Sequence, residues 1–196
     1  MQLFFSPLAC SMATRISLYE AGAEATFTDA RGNADLRAIN PLGMVPVLRT
    51  DDGEVITENA AVLQYVADRF PAAQLAPAGG LERTRLQQWL CFIGTELHKA
   101  VFAPMIDRKA PPEVKAYALE RAAPRFAFLE RHLDGREFLL DRFSVADAYL
   151  VTVLTWTLVT PIDMKKYPAV DGYGRRLRDR PSVARAMAEE RPLFRP

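Results

Sequence analysis

The sequence predicts a small α/β domain with a mixed sheet, followed by an all-α domain. Three observations carry that expectation. Residues 2–70 alternate short β-prone runs with short helical patterns. The stretch Pro71 to Gly80 then holds two prolines and two glycines, the composition of a domain boundary. Beyond it only helical periodicity remains. The expected units are 1–73 and 81–196.

Taken in order, Gln2 to Phe5 is a short apolar strand, and Ser6-Pro7 breaks it. From Ser11 the apolar positions Met12, Ile16 and Tyr19 recur at helical spacing, and Ala21-Gly22 ends the helix. Ala25 to Asp29 has β-prone character, which completes a βαβ unit. Asn33 to Ile39 reads as a short helix or turn. Asn40-Pro41-Leu42-Gly43 is dense in turn residues, and Asp51-Asp52-Gly53 between two apolar runs signals a hairpin. Ala60 to Phe70 carries an apolar stripe and closes the first domain.

In the second domain, one helix is expected over Leu81 to Met105, with Leu86, Leu90, Ile93, Leu97 and Val101 as its core stripe. Cys91, Thr95, His98 and Phe102 form a neighbouring stripe. A second helix runs from about Glu113 to Leu133. Ser144-Val145-Ala146-Asp147 has capping-box spacing and opens a helix that is apolar nearly all round, hence central in the bundle. Truncating Ser144 or Asp147 to alanine is expected to cost about 1 kcal/mol. Two more short helices follow, Pro168 to Arg178 and Pro181 to Arg191. The late run of Arg175, Arg176, Arg178, Arg180 and Arg185, interleaved with Asp179, Glu189 and Glu190, reads as a solvated helical face.

Composition narrows the function. The chain has 196 residues, 49% hydrophobic and 25% charged, with Lys plus Arg at 25 against Asp plus Glu at 24. That balance argues against nucleic acid, a membrane surface or a strongly acidic partner. Two cysteines are too few for a disulfide framework, and the first residues do not read as a leader, so a cytoplasmic location is expected. His98 and His132 lie far apart and no cysteine belongs to a C-x-x-C pair, so no metal is expected. Cys10 stands at the mouth of the first helix. Free N–H groups and the positive end of the dipole favour a thiolate there, so its pKa is expected below that of a free thiol.

Six motifs then carry a family resemblance: Phe5-Ser6-Pro7-x-Ala9-Cys10-Ser11, Asn40-Pro41-x-Gly43-x-Val45-Pro46-Val47-Leu48, Asp52-Gly53-Glu54-Val55-x-Thr57-Glu58, Gln64-Tyr65-x-Ala67-Asp68, Thr95-Glu96-Leu97-His98-Lys99 and Val145-Ala146-Asp147-Ala148-Tyr149-Leu150. They span nearly the whole chain. With them it resembles the glutathione S-transferases, most closely the bacterial beta class.

The resemblance implies a thioredoxin-like N-terminal domain and a helical-bundle C-terminal domain. It implies that Pro46 is cis and that the Val45 backbone pairs with the cysteinyl part of glutathione. Glu58 and Asn59, which alone read as helix capping, would hold the γ-glutamyl end. Cys10 would lie close to the glutathione sulfur, where the class forms a mixed disulfide. His98 and Lys99 would stand near the active site, Ser11 would supply a donor to the thiolate, and Arg31 is the candidate for the glycyl carboxylate. An electrophile pocket would be lined by Phe102, Met105, Trp156 and Tyr149, residues that also read as bundle core.

The implied function is a cytoplasmic, homodimeric detoxification enzyme that transfers the thiolate of its co-substrate glutathione to a small hydrophobic electrophile, with thiol-disulfide exchange through Cys10. The alternative is a non-catalytic binding or regulatory relative. Three departures stand out: Phe5 where many relatives have tyrosine, Cys91 where close relatives have asparagine, and a shortened segment from Asp29 to Leu36.

Overall fold

A computed structural model describes residues 1–194, apart from the side chains at 34 and 35; the last two residues of the expected second domain lie outside it. The first part runs β1 (Gln2–Phe5), α1 (Met12–Glu20), β2 (Thr26–Asp29), α2 (Ala34–Ile39), β3 (Val47–Arg49), β4 (Val55–Thr57) and α3 (Asn59–Arg69). The strands lie in the order β2-β1-β3-β4. β1 pairs parallel with β2, Leu3 opposite Phe27, while β3 is antiparallel to both β1 and β4. This is a thioredoxin-like sheet.

The two-residue period of β1 sorts its side chains between faces. Leu3 and Phe5 pack with Leu18, Leu48, Val62 and Val66 on the side of α1 and α3. Phe4 and Val47 go to the opposite face with Ala30 and Leu36. α1 stops in a Schellman motif: Gly22 takes φ +61°, its N–H reaches the Tyr19 carbonyl at 3.1 Å, and Ala23 N–H reaches that of Leu18 at 2.9 Å.

The helical part comprises α4 (Gly80–Cys91), a π-helical segment (Phe92–Phe102), α5 (Ala103–Ile106), α6 (Pro112–Leu133), α7 (Val145–Leu154), a 3-10 turn (Thr155–Val159), α8 (Pro168–Arg178) and α9 (Pro181–Glu190). The single helix expected over Leu81 to Met105 therefore changes pitch. From Phe92 its ladder widens to i→i+5, and it returns to α where Pro104, which has no N–H, removes a donor. The core stripe Leu86, Leu90, Ile93, Leu97 and Val101 is buried as expected, whereas Cys91 and Thr95 of the neighbouring stripe are exposed.

α7 is buried along its whole length, and its capping box is present. The Ser144 N–H and Oγ–H both donate to Asp147 Oδ2, at 2.9 and 2.8 Å. Asp147 Oδ1 also accepts from Leu139 N–H and Tyr173 O–H, both at 2.8 Å. The expectation of about 1 kcal/mol concerns the cap and so applies to Ser144 alone; Asp147 satisfies a wider buried network.

α1 lies against α7, and one apolar cluster runs from Met12, Ile16 and Leu63 into Leu90, Leu97 and Leu150. Polar contacts reinforce that junction. Arg180 forms a bidentate pair with Glu20, 2.7 Å at both oxygens. The late arginine run is thus only partly a solvated face: Arg175 and Arg176 are exposed, but Arg180 is half-buried and Glu190 is fully buried. Among the described residues, no helix is long and apolar enough to cross a membrane.

Candidate active site

The break after β1 builds the turn that presents Cys10. Ala9 N–H returns to the Ser6 carbonyl at 3.0 Å, and Leu8 adopts φ +58°. The Cys10 thiol donates to the Val45 carbonyl at 3.2 Å, and the Val45-Pro46 peptide bond is cis. Asn59, at the first position of α3, donates from Nδ2 to the Cys10 carbonyl at 3.1 Å and accepts from Thr14 Oγ1 at 3.4 Å. Three segments distant in sequence thus meet at one point. Glu58 precedes them at the N-cap of α3, exposed, with φ +65°. A non-glycine residue held in that region stores backbone strain, which is a feature of ligand-binding positions. The free N–H groups of the first turn of α3 suit an anionic carboxylate.

The electrostatics reverse one expectation. Burial pushes the Cys10 thiol up to about 11, against the Lys99 charge and the backbone N–H groups of Cys10 and Ser11, which pull it down. The helix terminus acts in the direction the sequence implies, but it is outweighed by desolvation of the buried thiol. The thiol's hydrogen bond to Val45 favours the same protonated form. Ser11 supplies no hydroxyl donor to this point: its fully buried Oγ accepts from Ser6 N–H at 3.2 Å and donates to the Ser6 carbonyl at 3.3 Å. Its contribution is the backbone N–H.

His98 Nδ1 lies 2.8 Å from the Tyr149 hydroxyl, and its ring meets Trp156 edge-on with centroids 5.0 Å apart. Burial, then the Lys99 charge, lowers its pKa to about 4, so the imidazole is neutral at pH 7. Tyr149 is pushed well up by burial and then by the neighbouring Cys10 charge. Cys10, His98 and Tyr149 are all uncharged in the free chain near neutral pH, and the exposed Lys99 is the cation beside them.

The remaining expected residues fall less evenly. Of the pocket set, Phe102 is fully buried between Phe126 and Trp156 and belongs to the bundle core; Met105 is nearly so. Trp156 turns its indole N–H to the Leu8 carbonyl at 2.8 Å, so its polar edge supports the Cys10 turn. Arg31 is clasped by Asp29, the shortest contact being 2.7 Å, and donates to the Leu193 carbonyl at 2.8 Å. The sequence reading missed Arg37. Its guanidinium lies over Gly43, where an added Cβ would stand 3.3 Å from Cζ, two residues from Val45. Helical spacing from α2 to a turn carries no signal for that contact. Phe5 stacks under the Arg15 guanidinium at 4.2 Å, a structural use of the position. Among the described residues, no three His, Cys, Asp or Glu side chains group as a metal site.

Comparison with known proteins gives a consistent picture. Residues 9–69 match the family model described as glutathione S-transferase, N-terminal domain, and residues 95–181 match glutathione S-transferase, C-terminal domain. The chain is 34% identical to glutathione S-transferase GstA of Escherichia coli O157:H7, over 97% of this chain and 98% of the relative. Among solved structures it is similar to a sphingomonad glutathione S-transferase complexed with glutathione, at 42% identity and a TM-score of 0.90, covering 97% of this chain and 98% of that one. A bacterial beta class glutathione S-transferase from Sphingomonas chungbukensis aligns at 41% identity and a TM-score of 0.91, with the same coverage.

Proposed function

The chain belongs to the glutathione S-transferase family, in its bacterial beta class, and from that premise we propose that it binds glutathione across Val45, Glu58 and Asn59 and transfers its thiolate to a hydrophobic electrophile. The observation that carries this reading is the convergence at Cys10: thiol 3.2 Å from the Val45 carbonyl, carbonyl 3.1 Å from Asn59 Nδ2. It gathers a strand-edge backbone, a helix N-terminus and a sulfur within the span of one tripeptide. That the sphingomonad protein was solved with glutathione supports it.

Each residue has a role. The Val45 N–H and C=O pair with the cysteinyl unit, after the Cys10 thiol gives up that carbonyl. The first turn of α3 receives the γ-glutamyl carboxylate, while Glu58 pairs with the ammonium group. Arg37 replaces Arg31 as the cation for the glycyl carboxylate. Lys99 and neutral His98 stabilise the glutathione thiolate as it forms. The electrophile lies against the edges of Tyr149, Trp156 and His98. A homodimer in the cytoplasm, acting in detoxification, fits family membership and two free cysteines.

The second reading, thiol-disulfide exchange, is favoured by the place of Cys10. A Cys10 thiolate would attack the glutathione sulfur of a glutathionylated thiol, forming a protein–glutathione disulfide and releasing the other thiolate; a glutathione thiolate would then release Cys10 and leave as glutathione disulfide. Burial of the thiol disfavours the attacking thiolate in the free chain.

Glutathione-dependent conjugation of an activated aryl halide tests the first reading. Glu58→Ala should raise the KM for glutathione with a smaller change in kcat, and Cys10→Ala should abolish exchange but retain conjugation. No glutathione-dependent conjugation by the unaltered chain, or full exchange activity in Cys10→Ala, contradicts the corresponding route.

A further inference from the structure

Leu8 and Glu190 both stand where local rules argue against them. Leu8 holds φ +58°, a conformation unfavourable for a side chain with a Cβ. Glu190 is fully buried at the last position of α9, at the negative end of the helix dipole and next to Glu189. The two meet. Leu8 N–H donates to Glu190 Oε2 at 2.7 Å, and Trp156 Nε1 donates to the Leu8 carbonyl at 2.8 Å. Both polar backbone groups of Leu8 are therefore held from the helical domain, two residues before Cys10.

Arg15 completes the clamp from α1. Its guanidinium is buried between the rings of Phe5 and Phe27, at 4.2 and 4.1 Å. Arg15 Nε lies 2.9 Å from Glu190 Oε1 without an N–H aimed at it, so the two atoms pair by charge but share no hydrogen bond. Arg15 Nη1 goes to Glu189 at 2.8 Å, and Glu189 also accepts from Tyr19. Oε2 is thus left to Leu8. Burial pushes the Glu190 carboxyl up to about 7, with Arg15 and the Leu8 N–H opposing and Glu189 and Asp29 adding to the rise. A carboxylate set so unfavourably makes sense where its acceptor is needed at one particular backbone donor.

We propose that Glu190 is a positioning residue for Cys10: with Trp156 it fixes Leu8 in its left-handed conformation and thereby sets the place of the Cys10 thiol against Val45. The consequence for catalysis rests on the reading of Cys10 as the thiol beside glutathione. The clamp itself does not.

The test therefore uses no glutathione. In a Cys91→Ser background, which leaves one of the two cysteines, the rate of Cys10 alkylation by iodoacetamide is followed from pH 6 to 10 for the full chain and for Glu190→Leu, which keeps the side-chain shape but has no acceptor for Leu8 N–H. The variant should react several-fold faster, with its pH-rate profile displaced to lower pH, because a loosened turn lifts the thiol out of its buried setting. A superimposable profile, with or without a lowered Tm, overturns the proposal and leaves Glu190 as a partner of Arg15 only. Should Glu190→Leu not fold, Trp156→Phe removes the other half of the clamp while keeping a ring; it should shift the same profile, and no shift is again the contrary result. Failure of glutathione to bind leaves this outcome untouched, and the reverse also holds.

Discussion

Asp147 and Glu190 are both fully buried carboxylates of the helical domain, yet they are built in opposite ways. Asp147 sits in the first turn of α7, where the dipole favours an anion, and accepts from the Ser144 N–H and Oγ, Leu139 N–H and Tyr173 O–H. Glu190 closes α9, where the dipole opposes an anion, and takes one hydrogen bond, from Leu8 N–H, beside its ion pair with Arg15. The first follows every local rule and acts on its own domain. The second breaks those rules and reaches across to the Cys10 turn. A buried acid that obeys its surroundings is a stability element; one that contradicts them points to a site.

Three measurements can break that contrast. The largest effect should come from Asp147→Ala, which leaves four buried donors without an acceptor and should cost about 4 kcal/mol in urea unfolding. A loss under 1 kcal/mol would make Asp147 an ordinary cap. Next, Glu190 stands at about 7 in the folded chain against an ordinary 4.5. The folded state holds that proton more tightly, so its contribution is complete below about pH 4.5 and is lost as pH rises through 7. Relative to Glu190→Gln, the unaltered chain should therefore lose about 3 kcal/mol of unfolding free energy between pH 4.5 and 8. Parallel stability curves would remove the asymmetry. The smallest effect, about 1 kcal/mol, is expected for Ser144→Ala, because Asp147 retains its other donors; an unchanged Tm would refute the cap.

The same contrast explains what was legible. Ser144 and Asp147 lie three residues apart, so the cap is visible as a spacing; Leu139 and Tyr173, which share Asp147, come from other turns of the fold and are not. Strands, hairpin and helices could be read because period and turn chemistry are local. The widening of the helix at Phe92 was hidden because the apolar stripe through Leu90, Ile93 and Leu97 looks alike at either pitch. Cys10 was singled out with the opposite sign of pKa shift, since its burial arises from the folded chain and not from its place at a helix terminus. Glu190 looked like one charge in a solvated run; its partner Leu8 is 182 positions away. Arg31 was named because the resemblance implies a basic residue in the 29–36 segment; Arg37 was not weighed, since only the fold lays it over Gly43.

The account turns on glutathione occupying the junction of Val45, Glu58 and Cys10. Calorimetric titration of the full chain with reduced glutathione tests this directly. Saturable binding in the micromolar to millimolar range, weakened by Glu58→Ala, is the predicted result. Absence of any binding heat over that range, with the chain folded, would contradict the account and turn the search toward protein partners.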